Sequence, residues 1–167
     1  MTTCVTLRDV AEADVAIFFE HQLDPVAVQM AAFTAKQPAD SHRFKAHWTR
    51  LLGDEQIVKR TVLVDGAVAG LMVSWQQEGR REISYWLGRE YWGRGIATSA
   101  LRMFLAQELT RPLHARAALD NRASIRVLEK CGFVIEAHER GFANARGEEI
   151  DEVLMVLKHL RDKRVGE

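Results

Sequence analysis

The stretch that decides the fold is SYWLGREYWGRGIATSAL, residues 84–101. It begins aromatic and strand-like and closes on Gly88. Gly93-Arg94-Gly95 follows, and Ile96-Ala97-Thr98-Ser99-Ala100-Leu101 reads as the opening of a helix. The first N–H groups of a helix have no partner within it, and the helix dipole is positive there. Glycines at such a junction let those amides turn inward and let a ligand approach without meeting a Cβ. Gly93, Arg94, Gly95, Ala97 and Thr98 therefore form a candidate nest for phosphate oxygens, with the Arg94 charge in reach of a second anion. The competing reading is a strand-to-helix turn that needs glycine and holds nothing.

Outward from this junction the chain alternates between two periodicities. Residues 5–10 (VTLRDV) alternate like a strand, and 11–23 place Val15, Phe18, Phe19 and Leu23 at helical spacing until Asp24-Pro25 breaks the run. VAVQMAAF is a second short helix, and 40–54 a third, with Phe44, Trp48, Leu51 and Leu52 on one side. QIVKRTVLVDGAVAGLMVSW has two β-rich arms joined at Asp65-Gly66, a hairpin signal. Residues 81–88 are a third arm. A helix from about Gly93 to Thr110, a strand at 113–120, a short helix at 122–132 and a strand at 133–137 follow, and EEIDEVLMVLKHL holds a last strand paired back across FANARGEE. An antiparallel meander feeding a βαβ segment indicates an α/β chain with one mixed, largely antiparallel sheet of about six or seven strands and flanking helices. The crossover over 93–120 makes strands 81–88 and 113–120 parallel.

The bulk numbers bound the rest. A chain of 167 residues is expected to form one domain over 1–167 with a sizeable core. It is 47% hydrophobic and 28% charged, and Lys+Arg and Asp+Glu balance at 23 each. No global field draws it to nucleic acid or an anionic membrane. The two cysteines, Cys4 and Cys131, lack metal-ligand spacing and suit a reducing compartment as thiols, so no metal is expected. The first 15 residues lack the apolar stretch of a signal peptide, and no run reaches the ~18 apolar residues of a membrane span. The expectation is a soluble cytoplasmic protein, either monomer or homodimer, the exposed sheet edges making a dimer reasonable.

Two phosphate-binding alternatives fit poorly. No G-x-x-x-x-G-K-[ST] is present. A dinucleotide fingerprint from Gly93 would put Thr98 where the third Gly or Ala belongs, and too few βα units follow.

YWGRGIATSAL, followed by LDNRASIRVLEKCGF, resembles the GNAT acetyltransferase superfamily, closest to its ribosomal-protein N-terminal acetyltransferase branch. The superfamily pattern Q/R-x-x-G-x-G/A is met by Gly95 and Ala97, with Trp92 where Gln or Arg is usual. An aromatic-Trp-Gly-x-Gly start is common in the ribosomal-protein branch. The likeness rests on motifs over 81–135 and on architecture elsewhere; residues 11–55, on the acceptor side, carry no firm match.

The resemblance implies acetyl-CoA as co-substrate, bound where strands 81–88 and 113–120 splay apart. Its pyrophosphate would lie on the amides of 93–98, a backbone N–H near Leu87 would face the thioester oxygen, and an amine would attack directly. Glu82 lies about where some relatives place a base; it shares a strand face with Ser84 and Trp86. Its alternative is a paired or solvated glutamate, and Glu20 and His21 are fallback acceptor-side groups. Many members use a tyrosine seven residues after the asparagine of the second block, but that position here is Leu128. Ser124 is the hydroxyl that ribosomal-protein-type relatives carry instead to protonate the thiolate; its alternative role is a first-turn helix serine. Asn121 is either a helix cap or a partner of the pantetheine arm, and Arg126 and Lys130 are either CoA phosphate ligands or solvated charges. The tip RGFANARGEE could present Phe142 or Arg146 to the acceptor. That acceptor is a primary amine, read as the α-amine of a peptide N-terminus or small metabolite, with polyamines and aminoglycosides also open. A non-catalytic acyl-CoA-binding module and a nucleotide or dinucleotide binder stay as alternatives.

Overall fold

Two glycine turns set the sheet's register. In the computed structural model, which describes residues 2–160, Asp65 and Gly66 both have positive φ (49° and 84°), as do Glu78 and Gly79 (49° and 78°). Two successive left-handed residues match the twist of the strands they join. The expectation of one domain over 1–167 includes residue 1 and residues 161–167, which lie outside those described.

The first turn joins β2 (Val58–Val64) to β3 (Ala67–Gln77), and the second joins β3 to β4 (Arg80–Leu87). β1 (Val5–Asp9) pairs antiparallel with β2. Between them in sequence lie α1 (Asp14–Gln22), α2 (Pro25–Ala31) and α3 (Ser41–Gly53). After β4 come α4 (Ile96–Gln107), β5 (Leu113–Ala118), α5 (Arg122–Lys130) and the hairpin β6 (Val134–Ala143) and β7 (Glu148–Leu157). The seven strands run in the order β1-β2-β3-β4-β5-β7-β6. β4–β5 is parallel, and the other ladders are antiparallel.

Three boundaries differ from expectation. α4 begins at Ile96 rather than near Gly93, because Gly93 and Gly95 sit at φ 70° and 73°, outside the right-handed helical region. It ends at Gln107, where the buried Glu108 side chain turns back to accept from the Ser74 hydroxyl and the Thr110 N–H. β6 runs on to Ala143 rather than ending at 137, since its polar residues pair with β7 as regularly as apolar ones.

The sheet has two apolar faces. On one, Ile96, Ala100, Leu101 and Phe104 of α4 pack with Met72, Ile83 and Leu113. Each such fully buried large side chain contributes about 1.5–3 kcal/mol. On the other, Phe18 of α1 lies 5.1 Å from Trp48 of α3, ring centre to ring centre. Asp14 anchors α1 to the sheet. Burial opposes its ionisation, but the Arg8 guanidinium, the Ala11 amide and the Thr61 hydroxyl outweigh that and bring its carboxyl down to about 2.

The parallel pair is short. β4 and β5 register only at Arg81–Leu113 and Glu82–His114. Beyond these residues, among the described residues, β4 has no strand paired to that edge, and a gap opens between β4 and β5.

Candidate active site

A cleft of about 680 Å3 occupies the gap on the α4–α5 side. Its floor is Tyr85, Trp86 and Leu87 at the end of β4. One wall is the glycine turn with the start of α4, the other is α5, and α2 covers it through Ala27, Met30 and Ala31. Of the sequence-predicted cofactor residues, Leu87, Gly93, Gly95, Ala97, Thr98, Asn121, Arg126 and Lys130 all line this space, as does Ser124.

The glycine turn suits an anion. Gly95 is the N-cap of α4 in the left-handed conformation, with no side chain capping the helix. The amides of Ile96, Ala97 and Thr98 are thus left to a ligand or to water. A Cβ placed on Gly93 or Gly95 would meet no atom within 4 Å, so these glycines serve backbone conformation and not tight packing. Trp92 donates its indole N–H to the Leu87 carbonyl at 3.1 Å, tying the turn to the strand end. Arg94 stands apart from the cleft lining, its guanidinium 5.9 Å over the Tyr91 ring. Arg122, Arg126 and Lys130, at four-residue spacing on one side of α5, all line the cleft. Arg122 belongs with Arg126 and Lys130 by this four-residue spacing alone.

Backbone alternation points the strand end into the gap. The Gly88 N–H donates to the Ala69 carbonyl at 2.9 Å. Along β4 the neighbouring amide, Leu87, therefore faces the opposite edge, where β5 has diverged.

The second block places two hydroxyls together. Asn121 Oδ1 accepts the Ser124 N–H at 3.3 Å, so Asn121 caps α5, and its Nδ2 donates to the Met30 carbonyl at 3.4 Å. Ser124 Oγ is not spent on its own helix: it lies 3.1 Å from the Tyr85 hydroxyl. Burial pushes the Tyr85 phenol above its ordinary value, with the Ser124 hydrogen bond acting against it, so the phenol is protonated at neutral pH. The sequence gives no sign of Tyr85's role, because no spacing rule ties a strand tyrosine to a helix serine 39 residues later. Leu128 is 2% exposed in the core, lining neither cleft.

Glu82 shares the face of Ser84 and Trp86 as expected, but its surroundings are ionic. Its Oε1 lies 3.3 Å from Arg116 Nε, and Arg116 also meets Glu139 at 2.6 Å and Glu152 at 3.3 Å. The Glu152 carboxyl is pushed up by burial, against the pull of Arg116. Four strand residues thus make an acidic cluster that no contiguous segment announces. Glu82 lines neither cleft.

The weaker acceptor-side candidates also fall outside both clefts. His21 packs on Gly88, where a Cβ would come within 2.8 Å of its ring, and edge-on to Tyr91. Burial lowers its imidazole below the ordinary value, against Glu90 and Glu20. Glu20 and Phe142 are exposed. Arg146, at the β6–β7 tip, pairs with Asp120 and donates to the Gln29 carbonyl at 3.0 Å, fastening the hairpin to α2.

A second cleft, about 670 Å3, opens on the opposite face between β3–β4 and helices α1 and α3. Tyr85 and Trp86 line both clefts, so the two spaces border the end of β4 from opposite faces of the sheet. A donor in one and an acceptor in the other would come together there.

A mixed sheet splayed at one parallel pair, with a glycine turn and uncapped helix amides at the splay, is an architecture suited to group transfer. Residues 5–134 match the acetyltransferase (GNAT) domain model, and the chain belongs to that family. It is 35% identical over 106 residues to p20 of Bacillus licheniformis, an uncharacterized N-acetyltransferase by name (60% of this chain, 58% of that one). It is 30% identical over 120 residues to YdaF of Bacillus subtilis strain 168, provisionally named a ribosomal N-acetyltransferase (65% of each). These matches span about three fifths of the curated relatives' length. The fold matches that of RimL, the ribosomal L7/L12 α-N-protein acetyltransferase in complex with coenzyme A. The TM-score is 0.82 at 18% identity, covering 96% of this chain and 97% of that one. The name of YdaF agrees with the branch to which the motifs point.

Proposed function

We propose that the protein is an acetyl-CoA-dependent N-acetyltransferase that moves the acetyl group directly to a primary amine of a peptide N-terminus or small metabolite. The observation that carries this reading is that Tyr85 and Trp86, at the end of β4, line both clefts. Acetyl-CoA lies in the cleft of the glycine turn, its pyrophosphate on the amides of 96–98 and its phosphates near Arg122, Arg126 and Lys130. Arg94, stacked on Tyr91 outside the lining, serves an anion only by leaving that ring. The Leu87 amide stabilises charge developing on the thioester oxygen, and the two clefts hold the reactants in register. The departing thiolate takes a proton from Ser124, which Tyr85 orients and resupplies.

The single-domain organisation over 1–167 and a cytoplasmic location, as monomer or homodimer, belong to the same proposal. Among the described residues no helix is long and apolar enough to cross a membrane. Incubation with acetyl-CoA and an amine library, read as thiol release, tests the activity. Release that depends on an added amine supports it, and its absence across the library favours a non-catalytic acyl-CoA-binding module.

The attacking amine must lose a proton, because its ordinary pKa of about 10 leaves it charged at neutral pH. Glu82 serves as base through water along the Ser84 face. Glu82→Gln is expected to keep the fold, since Arg116 retains Glu139 and Glu152. It should lower kcat/KM about 100-fold near neutrality and flatten the alkaline rise. An unchanged pH profile would remove Glu82 from the chemistry.

A further inference from the structure

The acceptor cleft has a composition of its own. Its wall is aromatic and aliphatic: Phe18, Phe44, Trp48, Trp75, Leu71 and Val73 line it. Trp48 is 4% exposed and packs at 5.1 Å on Phe18 and 6.5 Å on Phe44, so the wall is pre-formed. Its volume falls in the range of small-molecule sites.

The charges around it are few and mostly of one sign. Lys36 and Arg43 line the cleft, and Asp40 is the one carboxylate among its lining residues. Asp40 is already engaged: Oδ1 caps α3 through the Arg43 N–H at 3.1 Å, and Oδ2 lies 3.3 Å from Arg43 Nε. A second cation on the acceptor would find no unspent carboxylate there and would leave water against a net positive lining. The carboxylates that could hold a polycation are those around Arg116, outside this space.

We propose that the acceptor is a primary amine on a bulky, uncharged, apolar body of aromatic size, the body seated against Trp48, Phe44 and Trp75 and the amine at the junction beside Tyr85. This rests on the acetyltransferase reading for the amine's fate, but not for the cleft's selectivity. The same chemistry is presented by a free arylalkylamine and by an aromatic N-terminal residue of a peptide.

The test is calorimetric binding to the CoA-saturated protein, with thiol release from acetyl-CoA measured in parallel. The probes are tryptamine, the amide of Phe-Gly-Gly, ethanolamine and spermidine. Tryptamine, the Phe peptide or both are expected to bind at least tenfold more tightly than ethanolamine and spermidine; which of the two binds better tells a metabolite from a peptide acceptor. Trp75→Ala, on a half-buried wall residue, should abolish that preference with acetyl-CoA affinity unchanged. Selective binding without thiol release would uphold the cleft assignment and sink the transferase reading. Turnover that favours spermidine would overturn the proposal, keep the transferase, and move the acceptor to the Arg116 cluster. Binding of none of the probes, or a preference that survives Trp75→Ala, would also overturn it.

Discussion

Gly95→Val is expected to weaken acetyl-CoA binding by at least 100-fold while the protein stays folded. Gly95 has φ 73°, a conformation that costs a β-branched residue strain of order 1–3 kcal/mol. A Cβ there would strike nothing within 4 Å, so the variant has no clash to relieve in the core. The turn itself must change, and with it the direction of the amides that open α4. Losing two charge-assisted hydrogen bonds of about 1.5–3 kcal/mol each corresponds to a 100-fold loss or more. A thermal midpoint within a few degrees of the parent, together with lost binding, separates this from unfolding. Full affinity in the variant would mean that the turn holds no phosphate.

The second large effect is expected at the hydroxyl pair. Ser124→Ala should lower kcat by about 100-fold, with acetyl-CoA affinity changed less than threefold, because the proton to the thiolate is needed only as the bond breaks. Asn121 still caps α5 in this variant, since the cap uses the Ser124 backbone N–H and not its hydroxyl. Tyr85→Phe should cost about tenfold, and the double variant should be no worse than Ser124→Ala alone. Residues acting as one relay are not additive. Independent, multiplying losses would separate Tyr85 from Ser124, and an unchanged rate in Ser124→Ala would leave the serine without a chemical role.

What could be read from residues alone follows from how local each signal is. Asp65-Gly66 announces its hairpin because two positive φ angles in a row are a property of the dipeptide. The parallel pair follows from one crossover, and the glycine turn from four residues. α4 starts three residues later than its sequence pattern suggests, since a glycine that precedes a helix and one that begins it look alike until φ is known. Contacts across the sheet were not legible. The Glu82–Arg116–Glu139–Glu152 cluster gathers β4, β5, β6 and β7, and each glutamate alone reads as an ordinary surface charge. The acceptor cleft likewise joins Trp48 of α3 to Trp75 of β3, two residues with no shared motif.

On the reading proposed above, the turn at 93–98 is a cradle for the pyrophosphate of acetyl-CoA. Calorimetric titration of the protein with acetyl-CoA, with NAD and ATP run in parallel, tests it most directly. Micromolar binding of acetyl-CoA with no heat from the other two is expected. Binding of NAD or ATP as tight as acetyl-CoA, or no binding of acetyl-CoA, would contradict it.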